Sequence, residues 1–260
     1  MERATIETGV ASTIRTIARQ VAAGAGLALL RGDVGIGKTF ALDMIAAEMA
    51  AEGVMVVRIT ISPATRASAS AFTRAVLAPH HIAISSTQDA ENAIFELLRA
   101  YPFQTFGTRA IFIMDEAQEA KSVILDTMRS IYDRCDAARD GDEHAPAFGC
   151  LFVGNKTFMG KSGSVRQALF RPLLSRVTHN VNLPGPSRVE LAALARQLAP
   201  EDGEKLTEPL ELQAALRDLG EVVGNFRALA TAMRTSRTRA GDSPITPELL
   251  RAVIKAMGIR

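Results

Sequence analysis

Short apolar runs alternate with longer amphipathic segments along the first two thirds of the chain. The apolar runs predict β-strands at residues 26–31, 54–61, 109–115, 148–154 and 177–183. The segments between them predict helices at residues 38–51, about 67–78, about 89–100 and 122–138. Buried strands that alternate with helices are typical of a parallel sheet covered by helices. The pattern therefore predicts a doubly wound α/β domain with a five-stranded parallel sheet.

The last third of the chain carries only helical signals. Residues 184–186 read Pro-Gly-Pro, which is typical of a linker. Ser187 and Glu190 form the S-x-x-E capping box that begins a helix, and this helix is expected to end before Pro200. Further helices are predicted to close at Gly220, to span about residues 224–239 and to begin at Thr246-Pro247. We predict an α/β core at residues 1–183 and a small helical domain at residues 184–260.

The composition is that of an ordinary globular protein, with 47% hydrophobic and 22% charged residues. The longest apolar runs fall far short of the ~20 residues that cross a membrane, and the first residues lack the apolar segment of a secretory signal. We therefore expect a cytoplasmic protein that does not act in a membrane. Cys135 and Cys150 form no metal-binding pattern with the scattered histidines and are expected to be small core residues.

The net charge of +2 conceals two blocks of opposite sign. Residues 224–260 hold seven Lys or Arg against two acids, a net of +5, and residues 201–223 hold seven acids against two basic residues, a net of −5. The basic block can bind DNA phosphates without sequence preference, or it can pair with the acidic block. Because the chain has no Trp and two Tyr, a groove that follows the duplex backbone is favoured over a stacking platform.

The clearest chemical motif lies between the first predicted strand and the helix after it. It reads G-x-x-x-x-G-K-T and comprises Gly32, Asp33, Val34, Gly35, Ile36, Gly37, Lys38 and Thr39. Glycines let the backbone wrap around phosphates, so that its N–H groups and the helix N-terminus face the negative charge. Lys38 can reach the β- and γ-phosphates, and the Thr39 hydroxyl can ligate Mg²⁺. The motif therefore predicts a site for ATP and Mg²⁺.

Polar side chains follow the third and fourth predicted strands, at the sheet edge where ligands of open α/β sheets bind. Asp115 is the candidate for the Mg²⁺ shell, and Glu116 is the candidate for polarising the attacking water. Asn155 ends a strand that is expected to neighbour the Asp115 strand, and its amide can hold that water or a γ-phosphate oxygen. The alternative for Asn155 is a turn residue after glycine.

Three arginines are candidates for contact with the phosphates. Arg176 and Arg171 precede the fifth strand, where an arginine can reach the nucleotide of a neighbouring subunit and stabilise the transferring phosphoryl group. Arg176 is the first choice and Arg171 the second, and the alternative is that both are ordinary surface cations. Arg227 starts a helix of the second domain and can return over the phosphates, which would make that domain a lid.

Four more basic residues are candidates for DNA contact. They are expected in loops or helix starts at the same end of the sheet as the nucleotide, and they are Arg66, Arg74, Lys156 and Lys161.

The order of these motifs resembles that of the AAA+ ATPases and, among them, the transposition ATPases typified by the Mu phage B protein. The broad resemblance rests on GDVGIGKT, IFIMDEAQ, FVGN, RPLLSRV and GNFR, with only helices after the fifth strand. The closer resemblance rests on RITISPATRAS, IFIMDEAQEA, LFVGNKTFMG with LFRPLLSRV, and GNFRALATAMR.

The resemblance implies an AAA+ core with a helical lid and assigns a role to each site residue. Lys38 and Thr39 take the Walker A roles, Asp115 and Glu116 the Walker B roles, Asn155 is sensor 1, Arg176 is the finger that acts in trans, and Arg227 is sensor 2. The implied activity is that of an ATPase that binds duplex DNA without sequence preference and assembles on it as a filament or ring. Such proteins capture target DNA and activate a transposase.

Other functions fit the same motifs. A helicase loader or a secretion-type AAA+ ATPase would share the nucleotide chemistry but act on a protein client. A small-molecule P-loop kinase would need a phosphate-acceptor lid and no trans arginine, and the Asp115-Glu116 pair does not favour it. A nucleotide-gated scaffold without hydrolysis is disfavoured by Glu116.

Overall fold

Five parallel strands form a single sheet in the computed structural model, which describes residues 6–82, 86–101, 109–140, 142, 145–158, 165–199, 206 and 226–257. The strands are β1 (Leu27–Arg31), β2 (Met55–Thr60), β3 (Ala110–Asp115), β4 (Gly149–Gly154) and β5 (Val177–Asn182). Their spatial order is β2-β3-β4-β1-β5, and every neighbouring pair is parallel. The predicted α/β class and five-stranded parallel sheet are confirmed.

Nine α-helices lie in the part of the chain that the structure describes. They are α1 (Gly9–Gly24), α2 (Lys38–Ala51), α3 (Ala69–Leu77), α4 (Thr87–Arg99), α5 (Ser122–Arg139), α6 (Val165–Leu174), α7 (Arg188–Leu198), α8 (Phe226–Ala240) and α9 (Pro247–Ala256). Seven of them were predicted, whereas α1 and α6 were not. Helix α6 contains Pro172, a residue that normally interrupts a helix.

The middle of the sheet is fully buried, which sets where polar groups can emerge. All six residues of β3 and all six of β4 are buried, as expected for strands covered on both faces. The core around them includes Phe112, Phe148 and Phe152, and the free thiols of Cys135 and Cys150 are buried as well. Polar side chains therefore become accessible only where these strands end.

The chain divides into two compact units by its own contacts. The core unit comprises Thr13–Gly32 and Thr39–Leu183, and the helical unit comprises Met1–Ser12, Asp33–Lys38 and Pro184–Arg260. In the helical unit, α7, α8 and α9 enclose a separate apolar core that includes Leu191, Leu229, Met233 and Val253. The domain boundary after residue 183 stays a prediction.

Two helix starts in the helical unit follow the predicted local chemistry. Ser187 and Glu190 form a reciprocal capping box at the start of α7. Thr246 caps α9 through its side chain, with Pro247 at the first helical position. The predicted helix end at Gly220 lies outside the described residues. No helix among the described residues is long and apolar enough to cross a membrane.

Candidate nucleotide-binding site

The glycine-rich segment at residues 32–39, called the phosphate loop below, follows β1 directly. Gly35 and Gly37 have φ angles of 83° and 89°, a left-handed conformation that side-chain-bearing residues rarely adopt. Lys38 begins α2, and its Nζ donates a hydrogen bond to the Asp33 carbonyl at 2.7 Å. The loop thus has the curvature that lets backbone N–H groups surround an anion next to a helix N-terminus.

The start of α8 contacts the phosphate loop within the helical unit. The Arg227 backbone N–H donates to the Gly35 carbonyl at 3.4 Å. A Cβ on Gly37 would lie 3.4 Å from the ring of Phe226, so the Phe226 side chain also lies close to the loop. The structure therefore brings the Arg227 backbone to the phosphate loop, and the Arg227 side chain is exposed. Gly224 and Asn225 of the GNFR motif lie outside the described residues.

A hydroxyl and a carboxylate meet within the core unit, where α2 begins and β3 ends. Thr39 Oγ1 donates to Asp115 Oδ2 at 2.9 Å, and the Glu116 N–H donates to Asp115 Oδ1 at 2.9 Å. The Asp115 side chain is 1% exposed. Both carboxylate oxygens are thus held in place. A hydroxyl beside a fixed carboxylate supplies the oxygen ligands that Mg²⁺ prefers, so these residues fit that ion.

Arg58 was not identified in the sequence but belongs to this cluster. Its Nη2 lies 3.6 Å from Asp115 Oδ2, and its Nη1 forms an ion pair with Asp43 on α2. The position follows from strand pairing, because Arg58 on β2 lies beside Ile113 on β3. An arginine within the largely apolar segment 54–61 was the available signal. Arg58 supplies positive charge next to a nearly fully buried carboxylate.

Glu116 occupies a left-handed turn immediately after β3. Its φ and ψ are 54° and 37°, which is uncommon for a residue with a side chain, and its side chain is exposed. Gln118 Nε2 donates a hydrogen bond to Glu116 Oε2. Gln118 Oε1 accepts from the Asn155 backbone N–H at 3.1 Å. The side chain of Gln118, which the sequence analysis missed, therefore connects the ends of β3 and β4.

Asn155 follows β4, and β4 pairs directly with β3 as expected. Its Oδ1 accepts from the Thr157 N–H at 3.0 Å and from the Thr157 hydroxyl at 2.7 Å. These two hydrogen bonds are those of a turn asparagine, which was the alternative predicted for Asn155. They leave the Nδ2 group of Asn155 able to contact a ligand. Because the Asn155 oxygen is already engaged, any contact with a ligand falls to the Nδ2 donor.

Arg176, the first choice for a trans-acting arginine, forms contacts within its own chain. Both its Nε and its Nη2 bind the Asp133 carboxylate on α5, and the Nη2 distance is 2.8 Å. Its Nη1 also donates to the Pro172 carbonyl. Arg171 lies on α6. A trans role for Arg176 would require it to leave Asp133.

The basic residues proposed for DNA contact are not equivalent. Arg66 lies in the turn after β2 and forms an ion pair with Glu119. Arg74 is exposed in the last turn of α3, so the expectation of a loop or helix start is wrong for this residue. The helix begins only at Ala69, because Ser68 caps it, and this places Arg74 near its C-terminus. Lys156 is exposed after β4, and Lys161 lies outside the described residues.

Solved structures of similar fold come from proteins of low sequence identity. The chain is similar to ORC2 of Aeropyrum pernix, with a TM-score of 0.64, 19% identity, and coverage of 95% of this chain and 67% of that one. For Cdc6p of Pyrobaculum aerophilum the TM-score is 0.64, with 13% identity and coverage of 95% and 65%. For Aeropyrum pernix ORC1 in complex with DNA the TM-score is 0.54, with 16% identity and coverage of 97% and 66%.

A family model gives the more specific finding. No curated protein sequence matches the chain. The model of the AAA domain matches residues 21–156. This segment contains the phosphate loop, the acidic end of β3 and Asn155 after β4. Because the match covers more than half of the chain, the protein belongs to the AAA domain family and is a P-loop ATPase.

Proposed function

We propose that this ATPase binds duplex DNA without sequence preference, assembles on it as a filament or ring, captures it as a target and activates a transposase. The observation that carries the DNA part is the charge of α8, α9 and the turn between them. Residues 226–257 hold six Lys or Arg and two acids. Arg227 and Arg234 are both exposed and lie seven residues apart, which puts them on one face of α8.

Nucleotide binding is assigned to the phosphate loop and the cluster that follows it. The backbone N–H groups of residues 32–37 hold the phosphates, and Lys38 reaches the β- and γ-phosphates. The Thr39 hydroxyl and the Asp115 carboxylate, with Oγ1 and Oδ2 2.9 Å apart, would hold Mg²⁺. When bound, that ion neutralises charge on the phosphate oxygens. Arg58, whose Nη2 lies 3.6 Å from Asp115 Oδ2, orients the Asp115 carboxylate.

Hydrolysis is assigned to the ends of β3 and β4. Glu116 accepts a proton from the attacking water, a role that needs a carboxylate beside the metal ligands. Asn155 donates through Nδ2 to the same water or to a γ-phosphate oxygen. Their positions on adjacent parallel strands support this pairing, because both groups emerge at the same edge of the sheet.

Residues 184–260 are assigned the role of a nucleotide-responsive lid. The contact between the Arg227 N–H and the Gly35 carbonyl supports it, since a residue at the start of α8 already meets the phosphate loop. A phosphate in the loop would give the Arg227 guanidinium an anionic partner. Residues 184–260 would then respond to ATP as one body, which is the proposed domain division.

The experiment is to measure ATP turnover and DNA-bound oligomers with and without nonspecific duplex DNA over a range of salt concentrations. We expect DNA to raise turnover, and we expect binding to weaken steeply with salt because Lys and Arg release counterions from the phosphates. Arg234→Gln should reduce the salt slope by about one unit. Thr238→Gln, at another exposed position of α8, is the control.

Two outcomes would contradict the proposal. If duplex DNA changes neither turnover nor oligomer size at low salt, the DNA role is wrong. Stimulation by a protein client in place of DNA would then favour a helicase-loader-like or secretion-type ATPase. If ATP turnover requires DNA but a transposase is not activated, the proposed activation of a transposase is wrong and the DNA role stands.

A further inference from the structure

Gln118 is the side chain that joins two groups of the hydrolytic site. Its Nε2 donates to the Glu116 carboxylate, and its Oε1 accepts from the Asn155 backbone N–H at 3.1 Å. A carboxylate only accepts and a backbone N–H only donates, so these two partners fix which way round the amide lies. A side-chain amide offers both functions, a donor and an acceptor, at the end of one rigid plane and without a charge.

The backbone around Glu116 is shaped to allow this contact. Glu116 adopts φ 54° and ψ 37°, and the Glu119 N–H donates to the Glu116 carbonyl at 2.8 Å, closing a short 3-10 turn at Ala117–Glu119. Ala117 and Ala120 are buried and anchor the turn. The turn reverses the chain after β3, so that a side chain two residues later comes back to Glu116.

The last residue of β4 is Gly154, and the absence of a side chain there leaves space for the Gln118 amide. A Cβ on Gly154 would lie 2.8 Å from Gln118 Oε1 and 3.2 Å from Cγ of Phe158. Gly154 does not have a left-handed φ, so conformational freedom does not explain the residue. The close approach of the Gln118 amide and of the Phe158 side chain does.

We propose that Gln118 is a positioning residue that sets the direction of the Glu116 carboxylate and ties it to the backbone of Asn155. The inference rests on the role proposed for Glu116. Because the amide binds both strand ends, a displacement of the loop after β4 is transmitted to Glu116. The two groups assigned to the attacking water then move together, which keeps the reacting geometry.

The first test replaces the amide by an apolar side chain of similar size. Gln118→Leu should lower kcat for ATP by about 10- to 100-fold, the effect of a misplaced catalytic group. The KM for ATP and the affinity for a fluorescent ATP analogue should stay within about twofold, because Gln118 does not act on binding. Gln20→Leu, at an exposed position of α1, is the matched control and should leave both unchanged.

The second test uses pH to separate positioning from a structural role. In Gln118→Glu the carboxylate can still accept from Asn155, but it donates to Glu116 only when protonated. The kcat of this variant relative to wild type should therefore rise as pH falls from 8 to 5.5, whereas the ratio for Gln118→Leu should stay flat. Gly154→Ala should reproduce the kcat loss of Gln118→Leu, because its Cβ displaces the amide.

The outcomes separate the positioning role of Gln118 from the general-base role of Glu116, on which it rests. If Glu116→Gln retains turnover, the role of Glu116 is wrong. If Glu116→Gln abolishes turnover but Gln118→Leu keeps the wild-type kcat, the positioning role alone is wrong. A loss of kcat in Gln118→Leu that comes with an equal loss of ATP affinity and a lower melting temperature would also overturn it, since that pattern reports damage to the fold.

Discussion

Single residues decide the chemistry at the end of β3, where Asp115 is buried and Glu116 is exposed. Such different surroundings suit a metal ligand and a general base, respectively. We predict that Glu116→Gln lowers ATP turnover by about 10² to 10⁴-fold, the usual contribution of a general base, without weakening ATP binding. Single-turnover hydrolysis together with nucleotide titration checks this. A variant that hydrolyses ATP in a single turnover as fast as wild type would refute the assignment.

The residues of the site differ in how far the sequence could identify them. The phosphate loop and Asp115-Glu116 were found because each is a contiguous motif with a fixed relation to a strand. Arg58 and Gln118 were missed because their roles depend on contacts made in three dimensions. Arg58 reaches Asp115 through the pairing of β2 with β3, and Gln118 reaches Asn155 through a left-handed turn. Neither contact corresponds to a fixed separation between residues that a sequence motif could detect.

At the level of elements, burial made the strands predictable. Each strand lies within one residue of its predicted ends. For β3 and β4 the reason is that a strand buried on both faces is apolar throughout. Helix α1 shows the signal that was overlooked: the Thr8 side chain accepts from the Ala11 N–H, and apolar residues recur at Val10, Ile14 and Val21. Helix α6 could not be found this way, because Pro172 lies inside it.

The start of α7 gives a prediction about pH. Burial raises the pKa of Glu190, but hydrogen bonds from the Ser187 side chain and backbone and from the Gly9 backbone outweigh this effect, so the pKa lies below its ordinary value of 4.5. A carboxyl whose pKa is lowered by folding stabilises the folded state above its unfolded pKa. That contribution is lost as pH falls through the lowered pKa.

We therefore expect Glu190→Gln to melt below wild type at pH 7 and the difference to disappear on acidification below pH ~4.5. Ser187→Ala, which removes the other half of the capping box, should cost about 1 kcal/mol at pH 7. Thermal unfolding followed by circular dichroism from pH 7 to 3 measures both. Asp242→Asn, at an exposed acid of the same unit, is the control. A constant difference between Glu190→Gln and wild type across this range would contradict the prediction.

At the scale of the whole molecule, the proposed assembly requires an arginine from one subunit at the nucleotide of the next. Arg176 is the first candidate, yet its guanidinium binds Asp133 through two nitrogens in the same chain. An arginine in such an ion pair can be a structural residue. It can also be a trans-acting finger that leaves Asp133 and binds a phosphate of the neighbouring nucleotide. Asp133→Asn separates the two, because it weakens the ion pair and keeps the arginine.

If Arg176 is the finger, Arg176→Ala should reduce DNA-stimulated turnover by about 10³-fold or more and leave ATP binding intact. Asp133→Asn should then retain turnover. Mixing Arg176→Ala with Lys38→Ala should restore activity, because the second protein supplies Arg176 to the intact phosphate loop of the first. If Asp133→Asn loses turnover and thermal stability as Arg176→Ala does, and mixing restores nothing, Arg176 is structural. Arg171→Ala, tested in the same mixtures, then shows whether the second candidate acts between subunits.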